Sequence, residues 1–205
     1  FSVSAQDPFI EDVAFNTDGT KMFVVGDGYD SIYEYALSTA FDLSTASYSQ
    51  SFSVAGQDTQ PMGVAFNTDG TKMFLVGKNG DGVYEYSLST GFNISTASFV
   101  DSFSVTSQDT QPTGIAFNTI GTKMFVVGFQ NNNVYEYSLS TSFDVSTASF
   151  SVAFSVAGQE TNVDGIAFSS NGLKMFIVGT TGDDVNEYDI TPASLALGTG
   201  SFAST

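Results

Sequence analysis

The chain has 205 residues, enough to bury a core, and sets 22 Asp and Glu against five Lys for a formal net charge of −17. Such an acidic surface repels nucleic acid and anionic membranes, and no apolar run approaches the ~18 residues of a membrane span. With no Arg, His or Cys, the chain cannot build a His-based triad, a His- or Cys-ligated zinc, a disulfide or a bidentate Arg clamp, whereas carboxylate chemistry and calcium binding stay open.

The motif FSV at Phe1, Phe52, Phe103 and Phe154 sets a period of 51 residues, giving units 1–51, 52–102, 103–153 and 154–205 of one domain spanning 1–205. In the second unit, Met62–Phe66 reads as a short apolar strand. Asn67–Thr71 is a turn in which Asp69-Gly70 supplies left-handed backbone. Lys72–Gly77 is a strand apolar on both faces, Lys78–Gly82 a second turn and Val83–Leu88 a third strand. Ser89–Ser98 is a polar connection rich in Ser and Thr, which favour local turns over helix. Phe99–Val105 is a fourth strand of mixed pattern. Four antiparallel strands per unit, one of them buried on both faces, predict an all-β propeller whose blades pack between neighbours.

The phrase Pro112-Thr-Gly-Ile-Ala-Phe117, its turn, the strand Lys123–Gly128 and then Asn132–Leu139 resemble blades of NHL- and YVTN-type propellers. The resemblance spans the whole chain and implies architecture more than activity, because propellers host unrelated functions. The Ser-Thr-Ala-Phe-Asp-type linkers are similar to repeats of uncharacterised marine bacterial and phage proteins. Four units predict a four-bladed propeller in which Gly63, Gly114 and Gly165 let inner strands approach closely; Asp12 replaces Gly in the first unit. An aromatic residue precedes the FSV Phe by four positions at Phe52, Phe103 and Phe154, and Phe202 begins the same pattern again. The FSV at Phe1 and the segment around Phe202 are therefore expected to share the outer strand of the last blade. The alternative is half of an eight-bladed or head-to-tail assembly, so the chain is a monomer or a homo-oligomer closed through its terminal strands. Phe1 reads as the start of a processed chain or of a piece excised from a longer repeat array, and the divergent stretch after Tyr188 as an end.

Lys21, Lys72, Lys123 and Lys174 follow the first turn of every unit, and Glu34, Glu85, Glu136 and Glu187 sit in every third strand. Equal counts at fixed positions predict one structural Lys–Glu pair per blade, since a Glu among buried tyrosines needs a partner. Asp18 and Asp69 are turn residues; Ile120 and Asn171 at the same place argue against a fourfold metal site there. The tyrosines flanking each Glu are expected to fill the space between blades with their hydroxyls at its edge. Two sets of acids are candidate functional residues. One lies in the loops expected on one face: Asp7, Asp58, Asp109 and Glu160, with Asp27, Asp30, Asp81, Asp183 and Asp184. The other, Glu11, Asp12 and Asp164, is expected near the axis as a metal site, with calcium as the candidate ion. The sequon Asn93–Ser95 is the one glycosylation signal.

The functional expectation is a non-enzymatic binding, adhesion or assembly module, extracellular or on a virion or cell surface, whose acidic face meets a protein or glycan partner. Its alternatives are a glycan-binding lectin and a calcium-dependent propeller hydrolase.

Overall fold

The structure, a computed structural model, describes residues 1–190 and 201–204. The chain divides into two compact units, Phe1–Ser102 and Phe103–Thr205. The first holds two sheets with strands in sequence order: β1 (Ile10–Phe15), β2 (Lys21–Gly26), β3 (Ser31–Leu37) and β4 (Ala46–Ser53), then β5 (Pro61–Phe66), β6 (Lys72–Gly77), β7 (Gly82–Leu88) and β8 (Ala97–Ser104). The second repeats this with β9 (Pro112–Phe117), β10 (Lys123–Gly128), β11 (Asn133–Leu139) and β12 (Ala148–Ser155), then β13 (Val163–Phe168), β14 (Lys174–Gly179), β15 (Val185–Asp189) and β16 (Ser201–Ser204). The architecture is all-β: four propeller blades, each of four antiparallel strands. The fourth sheet takes its outer strand from Ser201–Ser204, with Phe202 edge-on to Tyr188 at 5.6 Å. Phe1 lies outside any strand and packs edge-on to Tyr35, at 5.4 Å, within the first unit.

The second strands β2, β6 and β10 are buried along nearly their whole length, as their two-sided apolar pattern requires. Between the two blades of the first unit, Phe23, Val25 and Ile32 share a core with Val64, Tyr86 and Ile94. In the second unit, Phe125, Val127 and Val134 pack with Val163, Ile177 and Tyr188. Each inner strand carries a register shift next to its second or third residue, between Ile10 and Asp12 in β1 and between Pro61 and Gly63 in β5. Such bulges re-aim the side chains beside them.

The linkers differ from the expected irregular connection. Leu43–Thr45, Ile94–Thr96 and Val145–Thr147 each form one turn of 3-10 helix, and the outer strand begins directly after it. The cause is a cap: Asp42, Asn93 and Asp144 accept the backbone N–H of Ser44, Ser95 and Ser146 at 3.0, 3.2 and 3.1 Å. Just before each cap a phenylalanine holds a left-handed backbone, with φ of 58° at Phe41, 54° at Phe92 and 55° at Phe143. A bulky residue adopts this region only where its surroundings enforce it. The enforcement comes from the first turn: the Phe92 N–H donates to the Gly70 carbonyl at 3.0 Å, and its ring lies over Gly70.

Gly70 itself has φ +70°, and a Cβ there would stand 2.3 Å from the Phe92 ring. Gly70→Ala is expected to destabilise the chain by about 1–3 kcal/mol, read by urea unfolding, through both the strained φ and the displaced ring.

Candidate functional site

Asp7, Asp58, Asp109 and Glu160 were expected on a ligand-facing surface; the structure buries all four completely or nearly so. Each lies in the loop that enters an inner strand and reaches across to the loop after the second strand. Asp58 accepts the N–H of Gln60 at 2.7 Å, of Asn79 at 3.2 Å and of Gly80 at 2.9 Å, and the Tyr84 hydroxyl at 3.4 Å. Asp7 accepts Phe9 N–H at 2.9 Å, Tyr29 N–H at 3.1 Å and the Tyr33 hydroxyl at 3.2 Å. Asp109 takes the amides of Gln111 and Asn131 at 2.8 and 3.3 Å. A charge buried this deeply persists only with such donors, so these carboxylates are loop clamps.

The clamp explains why each second strand ends in glycine. A Cβ on Gly77 would stand 2.3 Å from the Asp58 carboxyl carbon. The residue before the acid takes part as well: Gln6, Gln57, Gln108 and Gln159 accept the hydroxyls of Tyr35, Tyr86, Tyr137 and Tyr188 at 3.0 to 3.3 Å. Burial pushes the Tyr35 and Tyr188 phenols up to about 12. The recurring Gln-Asp or Gln-Glu pair is the sequence signal that could have revealed this arrangement. The last unit exchanges both partners, with Asn186 where the others have Tyr and Glu160 where they have Asp. The longer acid accepts four amides, from Thr161, Asn162, Thr181 and Gly182. Burial alone would raise Glu160, but these amides outweigh it and hold the carboxyl below its ordinary value.

Among the remaining loop acids, Asp30, Asp81 and Asp183 share with Asn132 a left-handed backbone, φ 48° to 53°. Asp and Asn tolerate that region better than other side chains, so the turn selects them. Burial, with Asp27, Asp58 and Asp7 nearby, pushes the Asp30 carboxyl up. Asp184 accepts the Asn186 side-chain amide at 2.7 Å, and Asp27 is half-buried.

The four Lys–Glu pairs are present, at 2.8 Å for Lys21–Glu34, 2.6 Å for Lys72–Glu85, 2.5 Å for Lys123–Glu136 and 2.6 Å for Lys174–Glu187. Within the first unit the pair also joins blades: Glu34 accepts Ile94 N–H at 3.2 Å, and Lys21 donates to the Phe92 carbonyl at 2.6 Å.

Glu11, Asp12 and Asp164 were expected to hold a cation. Among the described residues no three His, Cys, Asp or Glu side chains come together as metal ligands. Asp12 instead bridges inner strands, accepting Val13 N–H at 2.7 Å and, from the next blade, Val64 N–H at 3.0 Å. Burial pushes its carboxyl above the ordinary range, against the pull of the Val64 and Val13 amides. Asp12 thus combines partial exposure, a bulged strand and a raised affinity for protons. Glu11 is exposed and adjacent; Asp164, in the second unit, is half-buried in the bulge of β13.

A cleft of about 230 Å³ in the second unit is floored by Phe125 and Phe168, 4.6 Å apart, and rimmed by Asn118, Thr119, Ser169 and Asn171. At the matching place in the first unit, Phe92 packs on Phe23 and Phe66. Among the described residues that line this cleft none is titratable.

No protein-family model matches the chain, nor does any curated relative. Solved structures match its fold. A Lactobacillus plantarum protein superposes with a TM-score of 0.62 at 14% identity, covering 96% of this chain and 54% of its own. The periplasmic gluconolactonase of Pseudomonas aeruginosa gives 0.61 at 16% identity, covering 93% and 52%. A putative 6-phosphogluconolactonase from Bacteroides uniformis gives 0.61 at 13%, covering 96% and 53%. The likeness establishes the propeller fold, and the chain spans about half the length of these structures. It also corrects the functional expectation. The neighbours include lactonases, which turns the fold-level likeness away from a non-enzymatic adhesion module and its glycan-binding variant. The missing His and Arg exclude particular mechanisms but not hydrolysis by carboxylates.

Replacing Asp58 by Asn puts an NH2 group among buried N–H donors and is expected to cost about 2–3 kcal/mol in urea unfolding, whereas the exposed Asp69→Asn stays within about 0.5. Because Glu160 is held low in the fold, its stabilisation is complete above the ordinary carboxylate range and is lost as pH falls through its folded value. Glu160→Gln should therefore flatten the acid limb of the stability–pH curve.

Proposed function

We propose that this chain carries a hydrolytic site for an uncharged sugar lactone at the entry of β1, with Asp12 as general base. The observation that carries this reading is the fold likeness to a gluconolactonase over 93% of the chain. It is joined to a half-exposed carboxylate with a raised proton affinity at the strand bulge. In the proposed reaction the Asp12 carboxylate takes a proton from water, and the resulting hydroxide adds to the lactone carbonyl. The ring C–O bond then breaks, the leaving alkoxide receives the proton, and an open hydroxy acid forms. A base whose pKa lies closer to the working pH does this better than an ordinary surface Asp. Charge favours the unphosphorylated substrate: the chain has no Arg, a net charge of −17 and four of its five Lys in ion pairs with Glu. The repeat itself we assign to the NHL or YVTN type, on the Pro-x-Gly-apolar-Ala phrase of β9 and the turn that follows it.

Acid release from glucono-δ-lactone, followed by pH-stat, should exceed the buffer rate, with slower turnover of the 6-phosphorylated lactone. Asp12→Asn should lower the rate about 10²-fold or more and remove a pH–rate limb lying above the ordinary carboxylate range. Thermal stability at neutral pH should be kept or raised, since the fold disfavours the charged form of Asp12. A wild-type rate no faster than buffer would refute the reading.

A further inference from the structure

The surroundings of the loop acid repeat from blade to blade, and the fourth blade departs from them at three sequence positions together. In the second blade, the Tyr84 hydroxyl and the Gly80 N–H both donate to Asp58, at 3.4 and 2.9 Å. The Tyr33 hydroxyl meets Asp7 in the same way at 3.2 Å. In the fourth blade the acid is Glu160 and the tyrosine is Asn186. Asp184 stands where the other blades carry the uncharged Ser31, Gly82 and Asn133. All three departures lie within the second compact unit.

The exchange puts a carboxylate where a hydroxyl donor was. A Cβ on Gly80 would fall on the Tyr84 hydroxyl; a Cβ on the matching Gly182 would instead stand 3.0 Å from Asp184 Oδ1 and 3.2 Å from its Oδ2. The Gly182 N–H donates to Glu160 Oε2 at 3.2 Å, so Gly182 is flanked by both carboxylates. Glu160 has thus lost a neutral donor and gained an anion as neighbour, while four amides hold it in its charged form. The lysines of this unit are engaged elsewhere: Lys123 pairs with Glu136, and Lys174 with Glu187 and Asp189. Asn186 has no exposure. Its Nδ2 donates to Asp184 Oδ1 at 2.7 Å, and its Oδ1, on the same carboxamide, is buried with no hydrogen-bond partner among the described residues. An acceptor left bare in this way is costly. The carboxamide ends short of the place that a tyrosine hydroxyl reaches, so its bare oxygen borders the space left beneath the two carboxylates.

We propose that Glu160, Asp184 and Asn186 bind a calcium ion, with waters completing its shell. A cation meets all three needs together. It neutralises the paired carboxylates, and it takes the amide oxygen that no donor reaches. The donor set is all oxygen, which selects a hard cation over a transition metal. Calcium tolerates an irregular arrangement of ligands, whereas magnesium requires a near-octahedral one. Asp184 is half-buried and Gly182 exposed, which leaves an open side for waters and for entry of the ion. The other blades keep the tyrosine and an uncharged residue at these positions, so a single ion per chain is expected. None of the three residues belongs to the lactone site, so the two readings stand or fall separately.

Equilibrium dialysis of the whole chain against calcium, at about 0.15 M salt to screen diffuse attraction, tests this. The expected result is a single saturable ion per chain, with a rise in Tm on adding calcium. Asp184→Asn should abolish both. Asp81→Asn removes the same charge from the matching loop of the second blade and should keep both. Glu160→Asp, Asp184→Gly and Asn186→Tyr together restore the residues of the second blade. That triple variant should fold, as circular dichroism checks, and bind no ion. A wild-type chain without a saturable ion overturns the proposal and leaves water as the partner of the Asn186 oxygen. An ion that survives Asp184→Asn or the triple variant, or that is lost equally with Asp81→Asn, overturns it as well. The readout is ion binding, so its outcome is separable from that of the lactone assay.

Discussion

A carboxylate shut away from water must find donors, and this chain meets that constraint once per repeat at the same place. Asp7, Asp58, Asp109 and Glu160 are buried, and each gathers backbone amides from two loops that are about twenty residues apart in sequence. The loops have no regular structure of their own, so the acid fixes their conformation and thereby the ends of the inner and second strands. The glycine that ends each second strand follows from this, because a side chain there would occupy the carboxylate's position. The Gln preceding each acid anchors a buried tyrosine hydroxyl, which carries the same constraint into the core.

A second buried acid extends the logic from loops to joints. Glu34 is held by Lys21 inside its own blade and accepts an amide from the 3-10 turn of the next. One residue thus sets both the pairing of strands and the seating of blades. Removing water from such a pair is costly in itself, so it adds register more than stability. The hydrophobic joint around Phe23, Val64 and Ile94 supplies the attraction.

Much of this was legible in the sequence. The two-sided apolar pattern of Lys72–Gly77 and the Asp69-Gly70 turn located the strands, because burial and left-handed backbone leave direct marks on residue choice. The 3-10 turn at Ile94–Thr96 was hidden in a Ser- and Thr-rich stretch, since one capping Asn is a weak mark. The acids misled in a systematic way. Asp58 reads as a loop acid open to ligands, and its donors at Asn79 and Gly80 are backbone groups that carry no sequence signature. Asp81 looked like a variable functional residue, whereas its position asks for Asp or Asn because of its backbone angle. Asp12 stood out by replacing Gly, and its bond to Val64 on the next blade could be seen only in three dimensions. Activity was least legible, because a propeller's chemistry rests on few residues carried by a scaffold shared among unrelated functions.

The loop acids act as structural clamps, and the fold around the loops depends on them. Hydrogen exchange resolved at single amides tests this most directly, at Gln60, Asn79 and Gly80, which lie outside the strands yet donate to Asp58. Held by the clamp, these amides are expected to exchange as slowly as those of the neighbouring strand β6, opening with the blade as a whole. Exchange at the rate of an unstructured loop, while β6 stays protected, would contradict that role.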